Sequence, residues 1–253
     1  MQSSGPLDAL PLWGLFLAIL LLVLLSVEGG YRLGIYRRSR SEEEKEAPVG
    51  AMVGATLGLL AFILAFTFGL AAARFDTRRQ VLLDEANAIG TTYRREAIRS
   101  LLRDYVDVRL EAVRSGNVTE GIRRSEHLHD QLWAQAVAIG ETHPMSIVVG
   151  LFVQSLNEVI DLHAKRVTAG LRNRIPGAIW VALFAVAVLS LAAMGYHAGL
   201  SRTSRSLAEL AVAFTFAVVI GLIADLDRPQ EGVLKVSQQA LIDLRQSMQV
   251  PRP

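Results

Sequence analysis

Three arginines stand where a long apolar run ends, and their spacing would suit the attraction of anions. Arg74 and Arg78 are four residues apart, so a helix places them on one face, with Arg79 beside them. If several copies of the chain met around an axis, these side chains would form a cationic ring that concentrates anions. Single arginines at a membrane surface also contact lipid phosphates. The sequence leaves both interpretations open.

The apolar run before these arginines carries small and then bulky side chains at one repeat. At four-residue spacing it shows Gly50, Gly54, Gly58, Phe62, Phe66 and Leu70. Glycines at this spacing let two helix backbones approach closely, so Gly50, Gly54 and Gly58 are predicted helix-packing residues. In a symmetric assembly the bulky side chains could form an apolar constriction that gates a pore by dewetting. Alternatively, the glycines pack within one chain and the phenylalanines face lipid.

Four further residues are candidates for functional polar patches, the first pair in a vestibule and the second pair along an ion path. Glu85 and Asn87 follow the arginines on the same predicted helix, and Asp225 and Asp227 end the last apolar run. Ionisable groups this near hydrocarbon mark ion pathways in many membrane proteins. The alternatives are structural: Glu85 pairs with Arg78 or Arg79, Asn87 makes a buried helix contact, and Asp227 caps a turn.

No residue pattern supports enzyme chemistry or a cofactor. His127 and His129 are two residues apart, so a helix points them to different sides and they do not share a metal ion easily. Phosphate-binding loops, nucleophile elbows and dinucleotide fingerprints do not occur in the sequence. The chain has no cysteine, and its formal net charge of +2 does not indicate nucleic-acid binding.

Four apolar stretches determine how these residues are positioned. They cover residues 9–27, 47–73, 176–195 and 207–224. Each is close to the roughly 20 residues that cross a bilayer core as a helix, and in hydrocarbon the backbone must be helical. We therefore predict an all-α integral membrane protein, with the first stretch retained as an anchor rather than cleaved.

The spans are predicted to form two hairpins around a helical polar domain. The predicted parts are 1–73 (first hairpin, spans 9–27 and 48–73), 74–175 (three-helix water-exposed domain), 176–225 (second hairpin) and 226–253 (C-terminal amphipathic helix). The first span is expected to end near Gly29 and Gly30. The second is expected to continue as one helix to about Ser115 because its apolar period of three to four residues persists. Arginines near the spans give no clear orientation.

Four stretches of the sequence resemble two related families. The second span, Leu60–Phe66 followed by Ala73–Arg78, is similar to the second span of bestrophins, with its L-A-x-F-L-x-F run and arginine cluster. The stretches Arg74–Thr91 and Asp225–Gly232 resemble the bacterial bestrophin-like domain family more closely, and that resemblance covers nearly the whole chain in layout.

The resemblance implies an oligomeric membrane ion channel. Bestrophins are pentameric and mostly anion-conducting, and their second span forms an apolar neck. Carried over, Phe62 and Phe66 would be neck residues, with Gly58 or Leu70 as the third. The expected partners are the lipid bilayer, ions and further copies of the chain. The expected location is the inner (plasma) membrane, with the polar domain in the cytoplasm. The alternative function is a non-conducting scaffold or sensor whose helical domain docks a partner.

Overall fold

The computed structural model describes residues 7–40, 46–93, 98–143, 145–201, 207–228 and 232–249. Within them the chain forms eight α-helices and no strand. The helices are α1 (Leu12–Arg38), α2 (Glu46–Thr92), α3 (Arg99–Ser115), α4 (Val118–Thr142), α5 (Ile147–Val167), α6 (Gly177–Leu200), α7 (Leu207–Asp227) and α8 (Gln239–Ser247). A π-helical turn, Thr168–Arg172, continues α5.

Four helical segments are long and apolar enough to cross a membrane, as predicted. They lie within Leu12–Arg38, Pro48–Thr92, Ile147–Leu200 and Leu207–Asp227. The mean hydropathy of the most apolar stretch in each segment is 2.3 or 2.4. The all-α fold class and the number of spans are therefore confirmed.

The chain divides into two compact units. The membrane unit consists of Met1–Arg74 and Arg174–Leu234, and the polar unit of Phe75–Asn173 and Lys235–Pro253. The helix α2 contributes its first part to the membrane unit and its last part to the polar unit. The domain boundaries inferred from the sequence stay predictions.

In the membrane unit, α1 and α6 pack in backbone contact. A Cβ atom on Gly30 would collide with the carbonyl oxygen of Ala192, and a Cβ on Gly195 would collide with that of Val27. Gly34 and Gly199 are equally close to the facing backbone. The two helices run parallel, because contacts move forward along both together. Glycine spaced by four residues on each helix makes this approach possible.

This packing corrects the expected end of the first span. Gly29 and Gly30 do not stop the helix: α1 continues to Arg38. Glycine is unfavourable inside a helix by roughly 1 kcal/mol relative to alanine. The close contact with α6 requires a residue without a side chain at Gly30, so tertiary packing outweighs the local preference.

The other two spans pack around the same pair. Helix α7 packs on α1, where the rings of Phe16 and Phe214 meet edge to face with their centroids 6.3 Å apart. On α2, the Thr56 carbonyl oxygen accepts a hydrogen bond of 3.1 Å from the hydroxyl of Ser190 on α6. One side of α2 is therefore buried: Val53, Leu60, Leu64, Thr67 and Ala71.

In the polar unit, α3, α4 and α5 pack with the end of α2 and with α8. The start of α4 is capped by Asn117, whose side-chain oxygen accepts from the Glu120 amide, and Ser146 caps α5 in the same way. Gly116 ends α3 in the left-handed region, with φ of 73°, which suits glycine. The core holds large buried side chains from all five helices, including Ile89, Leu102, Tyr105, Leu132, Leu156 and Leu241.

The predicted continuous helix to Ser115 is wrong. The helix α2 ends at Thr92, and α3 begins at Arg99. The side chains of Glu85 on α2 and Tyr105 on α3 are in hydrogen-bond contact. In one straight helix, 20 residues would separate them by about 30 Å. The chain therefore reverses between these helices, and both bury their apolar faces in the same core.

The C-terminal helix is shorter than the apolar pattern indicated. The C-terminal part is predicted within 226–253 from an amphipathic pattern that begins at Val233 and continues through Val236, Ala240, Leu241, Leu244 and Met248, whereas α8 starts at Gln239. The backbone amide of Val233 donates instead to the carboxylate of Asp225, which holds this segment out of a helix. Further along, Arg245 on α8 makes two hydrogen bonds to Asp107 on α3, of 2.6 and 2.9 Å.

Candidate functional site

The exposed side of α2 in the membrane unit is the strongest candidate site. Four residues at four-residue spacing form what we call the α2 strip: Gly54, Gly58, Phe62 and Phe66. The Phe62 and Phe66 side chains are 70% and 62% exposed in the single chain, although both lie deep within an apolar span. A Cβ added to Gly54 or Gly58 would meet nothing within 4 Å among the described residues. The strip therefore has no partner within the described part of the chain.

The other two residues of the predicted repeat differ from the strip. Gly50 faces α6, where an added Cβ would lie 3.0 Å from Nε2 of His197. Gly50 thus packs within the chain, whereas Gly54 and Gly58 do not. Leu70 is half-buried, because at its position the repeat has turned away from the strip toward the buried side of α2.

The three arginines after the span have different environments. Arg74 is half-buried, with its guanidinium 3.8 Å from the carboxylate of Asp227 in the membrane unit. Arg78 is buried in the polar unit, where its guanidinium lies over the Phe75 ring. Arg79 is exposed. Their role as a cationic ring stays a prediction, and in the single chain Arg79 alone of these three is open to solvent.

Asp225 and Asp227 hold the ends of the membrane helices. The two carboxylate oxygens of Asp225 accept hydrogen bonds from the backbone amides of Val233, at 2.7 Å, and Leu234, at 3.1 Å. The carboxylate of Asp227 accepts from the backbone amide of Ile175, just before α6, at 2.8 Å. Both side chains are buried. Asp227 thus bonds the chain before α6, and the turn at Pro229 that it was expected to cap lies outside the described residues.

Two arginines also join the ends of the membrane helices. Arg174 donates to the carbonyl oxygen of Asp227 and to the carboxylate of Asp8, each at 2.8 Å. Arg228 donates to the carbonyl oxygens of Leu7 and Leu10 before α1. The chain ends of α1, α6 and α7 are therefore joined by charged groups at one end of the membrane unit. These contacts support a structural role, and an ion path through the two aspartates stays a prediction.

Glu85 lies at the centre of a buried polar network in the polar unit. Arg166 on α5 donates to one carboxylate oxygen at 2.5 Å, and the Tyr105 hydroxyl on α3 donates to the other at 2.5 Å. The Nε atom of Arg109 is 3.7 Å from the same carboxylate. Local spacing predicts Arg78 or Arg79 as the partner of Glu85. The structure instead pairs Glu85 with Arg166, Tyr105 and Arg109. Asn87, expected in a buried helix contact, is exposed.

Two histidines extend this network. The Tyr105 hydroxyl gives its one proton to Glu85, so Nδ1 of His163, 3.0 Å away, must donate to the Tyr105 oxygen. The neutral ring of His163 then carries its proton on Nδ1. The His129 ring contacts both, with its centroid 4.9 Å from that of Tyr105 and 4.8 Å from that of His163. Both Nε2 atoms are buried without a hydrogen-bond partner among the described residues.

The charges of the network determine its protonation at neutral pH. Burial opposes ionisation of Glu85, but the positive charges of Arg166 and Arg109 outweigh burial and lower its pKa. Burial and the nearby carboxylate of Glu85 raise the pKa of Tyr105, so its hydroxyl keeps its proton. Burial lowers the pKa of His129 to about 4. Burial, together with Arg109, lowers that of His163 to about 3.

The network lies outside the membrane-spanning segments and forms no metal site. The parts of α2 and α5 that contribute to it carry many charges, among them Asp84, Glu158, Asp161 and Lys165. No group of three or more metal-ligating side chains is found in the part of the chain that the structure describes. The sequence signal of this network is weak: Glu85 and His129 stand out as candidate functional residues, but Tyr105, Arg109 and Arg166 have the spacing of ordinary helix residues.

Comparison with known proteins gives the class of this molecule. The model of the bestrophin-like domain family matches residues 17–241. The chain therefore belongs to the bestrophin-like domain family, and it is a membrane protein.

Solved structures show the same fold over nearly the whole chain. A crystal structure of a membrane protein variant has a TM-score of 0.65 at 15% identity, covering 91% of this chain and 97% of its own. Two variants of a bacterial bestrophin homologue from Klebsiella pneumoniae have TM-scores of 0.64 and 0.63 at 15% and 16% identity. They cover 90% and 91% of this chain and 99% and 97% of their own. A search of curated protein sequences found no match.

Proposed function

We propose that this protein is an oligomeric ion channel in which α2 of each subunit lines a central pore. The observation that carries the proposal is the α2 strip, whose glycines and phenylalanines are exposed in the single chain while the other side of α2 is buried. Small residues are enriched where membrane helices approach each other closely. A face with open glycines therefore suits contact with further copies around an axis better than contact with lipid alone.

Phe62 and Phe66 would form the neck of this pore. Rings of large apolar side chains around a narrow pore exclude water, and ions cross only when the constriction widens. Gly58 and Leu70 are the candidates for a third position: Gly58 lies on the strip, whereas Leu70 lies at its edge. The resemblance to bestrophins supports an assembly of five copies of the chain around the pore. It also supports two membrane hairpins in the inner membrane with the polar domain in the cytoplasm.

The Phe66→Ala variant should conduct several-fold more current than the wild type. Removal of one ring per subunit widens the apolar neck and lowers the barrier to hydration. Single-channel and macroscopic currents of the purified protein in planar bilayers would measure the change. The matched control is Phe68→Ala, which removes the same side chain from the same helix about 200° around its axis.

Two outcomes would contradict a neck at Phe66. Equal currents for the wild type and the Phe66→Ala variant would do so, as would an equal increase for the Phe68→Ala variant. If no preparation conducts and the protein stays a monomer in mild detergent, the non-conducting scaffold or sensor becomes the better description.

The proposed permeant ion is an anion, and Arg79 tests this choice. Arg79 is exposed beyond the span, whereas Arg74 and Arg78 are largely buried, so Arg79 is best placed to act on ions in solution. We expect Arg79→Gln to shift the reversal potential in a KCl gradient toward the potassium equilibrium potential. The nearby exposed Asp76 provides the opposite control: Asp76→Asn should shift it toward the chloride potential. Unchanged reversal potentials in both variants would exclude selection by these charges.

A further inference from the structure

The buried polar network of the polar unit joins side chains from four helices. Its members are Glu85 on α2, Tyr105 and Arg109 on α3, His129 on α4, and His163 and Arg166 on α5. The Arg166 guanidinium also donates to the side-chain oxygen of Gln238, just before α8, at 2.8 Å. The network therefore holds the end of α2 to three other helices and to the C-terminal segment.

A positive charge on His163 does not fit this arrangement. Its Nδ1 already donates to the Tyr105 oxygen, and its Nε2 is buried with no hydrogen-bond partner among the described residues. The two carboxylate oxygens of Glu85 already accept from Tyr105 and Arg166. Protonation would therefore add a buried N–H without an acceptor, near the guanidinium groups of Arg166 and Arg109. Burial of an unpaired charge is strongly unfavourable.

His129 on α4 is in the same position. Its ring contacts that of His163, and its Nε2 is also buried with no partner in the described part of the chain. Arg109 opposes a positive charge on this ring, whereas Glu85 and Asp130 favour one. Burial is the larger effect and lowers the pKa of His129, so the ring is neutral while the network is closed. Both histidines can become charged only if water enters.

We propose that this network is a pH sensor that controls the channel through α2. Acid protonates the two histidines, the network opens to water, and the end of α2 is released from α3, α4 and α5. Helix α2 is continuous from Glu46 to Thr92 and also carries the proposed neck residues Phe62 and Phe66. Release of its end frees the helix to move, so the apolar neck widens and the current rises. The control of current rests on the proposed channel function, whereas the opening of the network in acid does not.

The size of the response follows from proton binding to the opened network. Once exposed to water, both histidines have the ordinary pKa of 6.5, whereas in the closed network the pKa values of His129 and His163 are about 4 and about 3. The open state therefore binds more protons, and opening becomes more favourable as the pH falls through 6.5. From pH 7.5 to pH 5 the equilibrium constant for opening should rise roughly 30-fold for each histidine, or about 1,000-fold for both.

Hydrogen exchange of the full-length protein in detergent tests the sensor. After correction for the intrinsic effect of pH, peptides from α3, α4, α5 and the end of α2 should exchange faster at pH 5 than at pH 7.5. The double variant His129→Phe and His163→Asn should lose nearly all of this difference, because neither new side chain binds a proton. Asparagine keeps an N–H donor for the Tyr105 oxygen. His127→Gln changes an exposed histidine on α4 and is the matched control, which should respond as the wild type.

Currents in planar bilayers test the control of the pore. The wild-type current should rise several-fold when both sides are changed from pH 7.5 to pH 5. The double variant should lose most of this increase, and His127→Gln should keep it. A several-fold increase that depends on the two buried histidines would support both the sensor and its connection to α2.

Each contrary result has a separate meaning. Equal corrected exchange at both pH values would overturn the sensor, as would an equal pH response in the double variant. A histidine-dependent change in exchange with a pH-independent current would overturn the control of the pore. If no preparation conducts at either pH, the proposed channel function fails, and exchange alone decides whether the network senses pH. Should the double variant not fold, His129→Phe alone should reduce the exchange response about 30-fold, and an unchanged response would overturn the sensor.

Discussion

Replacement of Glu85 by glutamine should destabilise the polar unit by about 3–5 kcal/mol, the usual cost of removing one partner of a buried ion pair. Glutamine keeps the size of the side chain but leaves the buried guanidinium groups of Arg166 and Arg109 without a negative partner. Hydrogen exchange of the full-length protein should show faster exchange in peptides from α3, α4 and α5. Exchange in α1 and α6 should change less.

The neighbouring residue provides the control. Asp84→Asn makes the same chemical change one residue earlier on α2, where the carboxylate accepts a hydrogen bond from Gln80 at the surface. Its effect should stay within about 0.5 kcal/mol, as for most surface substitutions. In the background of Arg166→Met, Glu85→Gln should cost less, because one of the two charges is already absent. Similar exchange in the Glu85→Gln and Asp84→Asn variants would show that the network is not stabilising.

Acidification from pH 6.5 to pH 5 should destabilise the polar unit by about 3 kcal/mol, or about 1.6 kcal/mol for each of two histidines. The folded pKa values of His129 and His163, about 4 and about 3, lie below the ordinary value of 6.5. Between these values the unfolded chain binds more protons than the folded chain. The stability is therefore full above about pH 6.5 and falls as the pH decreases toward 4.

The pKa of Glu85 acts in the same direction at lower pH. Folding lowers the pKa of Glu85 from its ordinary value of 4.5. This carboxyl therefore stabilises the folded state above about pH 4.5, and that stability is lost as the pH falls through the pKa of the folded state. Chemical denaturation followed by fluorescence of Trp133 on α4, measured between pH 5 and 7.5, would give the slope. His129→Phe keeps a ring beside Tyr105 and should about halve the slope.

An exposed histidine on the same helix separates this effect from general acid sensitivity. His127 lies two residues before His129 and is exposed, so His127→Gln should leave the slope unchanged. A stability that does not vary between pH 7.5 and 5 would contradict the burial of two neutral histidines. An equal reduction of the slope in the His127→Gln and His129→Phe variants would do the same.

The predicted glycine packing shows how far a spacing rule extends. The rule selected Gly50, Gly54 and Gly58 on α2, but within the described chain the backbone contact is made by Gly30 and Gly34 with Gly195 and Gly199. The same four-residue spacing is visible in the sequence at both of these pairs. The spacing does not identify the partner helix. A glycine face packs only where another helix lies against it, and the position of that helix depends on how all four spans are arranged.

The polar unit shows a second limit. The apolar period of α2 and α3 is the same because both helices bury one face in a common core. The period therefore does not reveal that the chain reverses between them. The partners of Glu85 differ from those that local spacing predicts for a related reason. Arg109 and Arg166 lie 24 and 81 residues further along the chain, whereas spacing rules describe neighbours three or four residues apart.

The sequence by itself determined the four membrane spans, the all-α class and the family, because each depends on local composition or on a continuous motif. About 20 apolar residues are needed to cross hydrocarbon, and that requirement is visible in the sequence without knowledge of neighbours. Only the tertiary structure decided which side of α2 is buried, which glycines carry helix contacts and which arginines neutralise Glu85. These features depend on side chains that are distant in sequence and meet only when the helices pack.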